Sequence, residues 1–170
     1  MSPVLDGWNH LLSDEAVREI LPCCGSLRWA HALVGLRPFS SEVALAGKSD
    51  EIWWQLDPVD WDEAFASHPR IGEKTAPESA TAKSAKWSGQ EQSGVAQADA
   101  DLQERLRQAN QEYERRFGRT YIVCATGKSG EEMLEILYRR LDNDEASELR
   151  EAAEQQRQIT QLRLRKWLQD

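Results

Sequence analysis

The 170-residue chain carries 29 acidic against 21 basic side chains, a net charge of −8, which argues against the basic face that a nucleic acid or an acidic membrane surface requires. Its three cysteines, Cys23, Cys24 and Cys124, show no C-x-x-C spacing, so neither a disulfide framework nor a zinc site is expected. There is no long apolar run, no charged-then-apolar leader and no Ser-Lys-Leu ending, so the expectation is a cytoplasmic chain folding as one domain over residues 1–170.

Helix signals follow one another along nearly the whole chain. Ser13 is a candidate cap for a first helix closed by Pro22, and Ser26 for a second, carrying Leu27, Ala30, Leu33 and Val34, that stops at Arg37-Pro38. A third follows Ser40 or Ser41. Asp57-Pro58 reads as an N-cap and first helical residue, after which Trp61, Phe65 and His68 recur on one face. The interval 73–98, rich in Lys, Ala, Ser, Gln and Gly, reads as a flexible linker or as a loop that carries function, and Ser88 with Glu91 also fits a capping box. Leu102, Leu106, Ala109, Tyr113 and Phe117 mark a further helix ended by Gly118. Residues 120–125 fit a short strand or buried coil, and periodicity does not separate the two. Ser129 and Glu132 form a capping box ahead of Met133, Leu134, Leu137 and Leu141, and a last helix is expected from about 144 to 168. The expected fold is all-α, a single-domain multi-helix bundle.

Two features carry chemistry. Proline disfavours the α region for the residue before it, so His68-Pro69 should bring an imidazole out of a helix end in a fixed direction, and histidine is the side chain best suited to moving protons near neutral pH. A plain helix C-terminal cap is the alternative. In the last helix Leu149, Ala152, Ala153, Gln156, Ile159 and Trp167 share one side of the wheel, and Arg163 falls among them. A buried guanidinium must meet a carboxylate, carbonyls or an anionic ligand, because an uncompensated buried charge is costly.

The chain resembles one family, the 2-oxo-4-hydroxy-4-carboxy-5-ureidoimidazoline (OHCU) decarboxylases of uric acid breakdown. The resemblance rests on Phe65-Ala66-Ser67-His68-Pro69-Arg70-Ile71-Gly72, on Ser88-Gly89-Gln90-Glu91-Gln92, on Arg116-Phe117-Gly118 followed by the run from Tyr121 to Ser129, and on Leu162-Arg163-Leu164. It implies that His68, Glu91 and Arg163 are catalytic. It also implies that Pro69, Ser88, Gly89, Gln90, Glu91, Gln92, Arg163 and the backbone of Tyr121, Ile122, Val123 and Cys124 contact the substrate. Tyr121 stands where many members have phenylalanine, a departure that could alter one wall of the pocket. A ureidoimidazoline substrate, (S)-allantoin as product, no cofactor, no metal and a homodimer are further implications. No nucleic-acid or membrane partner is expected.

Two other functions compete. A non-catalytic helical interaction domain would use His68 as a cap and Arg163 as an internal ion-pair partner. A metal-dependent ureide hydrolase would need a ligand cluster, and His10, His31 and His68 lack metal-ligand spacing.

Overall fold

In a computed structural model, which describes residues 2–73 and 75–170, ten α-helices form and no strand appears among the described residues. They are α1 (Pro3–His10), α2 (Ser13–Ile20), α3 (Leu27–Gly35), α4 (Glu42–Gln55), α5 (Pro58–Ala66), α6 (Ala82–Glu91), α7 (Ser93–Ala96), α8 (Ala100–Phe117), α9 (Gly130–Leu141) and α10 (Glu145–Trp167). A 3₁₀ turn, Leu21–Cys23, follows α2. The fold is all-α, as the periodicities indicate.

Most ends are where the capping signals put them. Ser26 and Ser41 accept from the third backbone amide beyond each, and Ser129 does the same at α9. Gly118 ends α8 in the left-handed region, φ 68°, which glycine adopts without steric cost. Two expectations are corrected. The first helix is α1, capped by Ser2 with proline at its first position, and Ser13 begins α2 rather than capping it. The interval 73–98 is neither linker nor loop throughout, because Thr81 caps α6 by accepting from Ser84 N at 3.0 Å. Ser88 and Glu91 thus lie in the last turn of α6 and form no capping box.

Contacts divide the chain into two compact units, residues 1–64 with 157–170, and residues 65–156. In the first, tryptophans supply much of the core, and the indoles of Trp8, Trp29 and Trp61 each find an acceptor. Trp8 Nε1 donates to the Ala16 carbonyl, Trp29 Nε1 to Ser49 Oγ and Trp61 Nε1 to the Trp53 carbonyl, at 2.9, 3.2 and 2.9 Å. Trp167 packs edge-on against Trp8.

The second unit is built on α8 and α9, whose Leu102, Leu106, Ala109, Tyr113, Met133, Leu134 and Leu137 bury one shared core with Val95, Tyr121 and Val123. Arg140 and Glu148 form an ion pair that is fully buried on both sides, and Tyr113 also donates to Glu148. Removing one partner of such a pair costs about 3–5 kcal/mol, because the other charge stays buried alone.

Candidate active site

His68 lies two residues beyond the end of α5, half-buried, with its backbone amide on the Phe65 carbonyl at 3.1 Å. The residues after it are held one by one. The Arg70 guanidinium makes a two-pronged ion pair with Glu114 on α8, Nε–Oε1 2.5 Å and Nη2–Oε2 3.0 Å. Asn110 donates through Nδ2 to the Ile71 carbonyl at 3.1 Å, and the Gly72 amide donates to Gln92 Oε1 at 3.0 Å. Gly72 has φ 91°, which a side chain would resist. The helix exit read from His68-Pro69 is therefore a fixed strap, and its histidine is presented from a rigid base.

The imidazole meets a side chain that sequence reasoning placed on the apolar face of the last helix without giving it a role. Gln156 Oε1 lies 2.7 Å from His68 Nε2, and Gln156 is fully buried.

The Ser88 to Gln92 segment is helical rather than a loop. Ser88 is buried in the last turn of α6 beside Trp87, Gly89 and Gln90 are exposed, and Glu91 and the cap residue Gln92 are half-buried. Gln92 reaches the His68 strap through Gly72, so these two candidate segments are joined directly. Gly94, in the following helix, lies where a Cβ would come 2.4 Å from the Lys128 carbonyl oxygen. That close approach seats the 88–94 segment against the loop that precedes α9.

Residues 121–125 are buried coil, and side chains meet the backbone polar groups of Ile122 and Cys124. Arg140 Nη1 donates to the Ile122 carbonyl at 2.5 Å, the Cys124 amide donates to Gln155 Oε1 at 2.8 Å, and Lys128 Nζ donates to the Cys124 carbonyl at 2.6 Å. The Tyr121 ring sits in the core with its hydroxyl on the Met133 carbonyl at 3.0 Å, which disposes of the extra oxygen relative to phenylalanine. The Cys124 amide already has a protein acceptor.

Arg163 belongs to the other unit. It is buried and donates through Nη1 to the Pro22 carbonyl at 3.1 Å. Nearby Cys24 is fully buried, and burial pushes its thiol up to about 12 although Ser26, Thr160 and Arg163 each pull the other way. In the second unit a cleft of about 490 Å³ lies beside the strap, lined by Arg70, Gln103, Arg107 and Asn110 among others, and His68 is not one of its walls. Among the described residues no group of three or more His, Cys, Asp or Glu side chains is placed to hold a metal ion, and no helix is long and apolar enough to cross a membrane.

The sequence model of the family described as OHCU decarboxylase matches residues 9–165. The chain belongs to the OHCU decarboxylase family. Within it, the chain is 37% identical over 150 residues to the uric acid degradation bifunctional protein TTL of Arabidopsis thaliana, covering 87% of this chain but only 46% of that longer protein. It is 29% identical over 140 residues to the 2-oxo-4-hydroxy-4-carboxy-5-ureidoimidazoline decarboxylase of Amia calva, covering 82% of this chain and 79% of the relative. A crystal structure of OHCU decarboxylase in the presence of (S)-allantoin superposes with a TM-score of 0.77 at 32% identity, covering 89% of this chain and 98% of that one. This family likeness extends through both compact units.

Proposed function

We propose that this chain decarboxylates 2-oxo-4-hydroxy-4-carboxy-5-ureidoimidazoline to (S)-allantoin in uric acid degradation, without a cofactor. The observation that carries the reading is the likeness, over nearly the whole chain, to an OHCU decarboxylase structure obtained with (S)-allantoin. The chemistry suits the residue types. The substrate bears its carboxylate on a carbon that also carries a hydroxyl, next to a C=N bond. That imine accepts the electron pair left when carbon dioxide departs, so the electron sink lies in the substrate itself.

The protein then has three tasks. His68 manages the proton of the hydroxyl or of the imine nitrogen, and the strap through Arg70, Ile71 and Gly72 keeps it in place. Arg163 anchors the carboxylate, while Glu91 orients His68 or holds the ureido nitrogens. Pro69, Ser88, Gly89, Gln90 and Gln92, with the backbone of residues 121–124, form the wall that lets protonation reach one face of the intermediate. The reading takes residues 1–170 as one catalytic domain acting in the cytoplasm as a homodimer, and light scattering of the purified protein tests the dimer.

The test is circular dichroism of allantoin formed from freshly generated substrate with protein, with heat-killed protein, and with protein plus EDTA. Accelerated formation of optically active allantoin, insensitive to EDTA, is expected. Racemic product at the spontaneous rate in all three would rule out the decarboxylase, and activity abolished by EDTA would overturn the cofactor-free mechanism.

A further inference from the structure

Gln156 is a fully buried amide of α10, on a helix face shared with Ala152, Ala153 and Ile159 and with the buried polar side chains Thr160 and Arg163. A buried amide is costly unless its groups are hydrogen-bonded, and here the oxygen is directed at one ring nitrogen of His68. An amide oxygen only accepts. At 2.7 Å from Nε2 it therefore selects the tautomer in which Nε2 carries the proton, and a neutral imidazole then presents its lone pair at Nδ1.

We propose that Gln156 is a positioning residue that fixes the His68 ring and its tautomer, so that Nδ1 is the nitrogen that exchanges a proton with the substrate. This inference rests on His68 being the proton-transfer residue under the function proposed above. Four contacts make the arrangement specific. The strap fixes the backbone of His68 through Phe65, Ile71 and Gly72, and Gln156 fixes the remaining freedom, rotation of the ring. The neighbouring Gln155 holds the Cys124 amide, so two successive side chains of α10 hold the proton-transfer residue and the 120–125 segment in their own places. Being neutral, an amide orients the ring without the added preference for imidazolium that a carboxylate would bring.

The experiment has two arms. In the first, nitrogen-15 NMR of the substrate-free protein above the imidazole pKa, with the His68 signals identified by their loss in His68→Asn, reads the tautomer directly. An Nε2-protonated ring is expected in the wild type, and mixed tautomers in Gln156→Leu. In the second, pH profiles of kcat and KM are compared. Gln156→Leu should lower kcat by about 10- to 100-fold with KM within about twofold, the scale typical of removing an orienting partner. Gln156→Glu should move the limb that reports His68 to higher pH by about one unit or more, because a carboxylate favours the protonated ring whether it acts as acid or base. An Nδ1-protonated ring in an active wild-type protein overturns this inference alone, as does a Gln156→Leu protein with unchanged kcat and pH profile. A folded wild type with the Nε2-protonated ring and no turnover of the ureidoimidazoline overturns instead the proposed function on which the inference rests.

Discussion

His68→Asn removes the group that the strap presents while keeping a polar side chain of similar reach. It should leave the melting temperature nearly unchanged and lower the rate by about 10²- to 10⁴-fold, the usual worth of one positioned proton-transfer group. Steady-state turnover beside a thermal melt checks both halves, and an active His68→Asn protein would end the assignment. For Arg163 the informative comparison is Lys against Ala. If the planar guanidinium clasps a carboxylate, Arg163→Lys should be nearly as inactive as Arg163→Ala. A large fall in melting temperature with normal turnover of the folded fraction would instead make Arg163 a structural residue, with its bond to the Pro22 carbonyl as part of that role. At this scale the sequence exposed residues whose type conflicted with their surroundings, such as a histidine before proline and an arginine on an apolar helix face. It did not expose residues that act by meeting something distant. Gln156 stood on the same face as Arg163, but its significance depends on a contact 88 positions away, which no local pattern records.

Among the elements, the 88–94 segment offers a contrast between two glycines. Gly94→Ala would drive a methyl group toward a backbone carbonyl at 2.4 Å, which cannot rotate aside, so a loss of about 1–3 kcal/mol is expected. Gly89, within α6, has nothing within 4 Å of a built Cβ, and Gly89→Ala should gain about 0.5–1 kcal/mol from the better helix former. Urea unfolding of the two variants measures the difference, and equal stabilities would contradict the close approach. Helices with apolar periodicity and a local cap, α3, α8 and α9, were legible because the signals lie within one turn of each end. α6 was not. Its residues make a short amphipathic turn around Trp87 and Ser84, and the polar composition of 73–98 hid a helix whose stability comes from burial rather than from propensity. The 120–125 segment had the apolar content of a strand, yet the backbone of Ile122 and Cys124 bonds to side chains instead of to a neighbouring strand.

For the whole molecule the expected signature is alkaline. Cys24 has an ordinary thiol value of 9.0 that burial raises to about 12, and burial likewise raises the Tyr113 and Tyr121 hydroxyls above 10.0. A raised pKa means that the fold holds these protons more tightly than the unfolded chain does. Their stabilising effect is complete below pH 9.0 and is lost as pH rises from there through the folded values. Unfolding free energy should therefore fall with pH above 9.0, and Cys24→Ala should lessen the slope by up to about 1.4 kcal/mol per pH unit. Denaturant titrations at several alkaline pH values check this, and an unchanged slope would show that the thiol ionises freely in the folded chain. The all-α architecture was legible at this scale because apolar patterning recurs from end to end, whereas the division into two compact units was not, since α5 and α10 each run without a break through a boundary between them. The backbone of residues 120–125, held by Arg140, Gln155 and Lys128, carries one more consequence. Hydrogen–deuterium exchange normally marks coil as fast, because opening a loop breaks little else. The Cys124 amide should be protected like a helical one, and its exchange should be governed by rotation of the Gln155 side chain, so that Gln155→Ala releases that single amide while the flanking helices keep their protection.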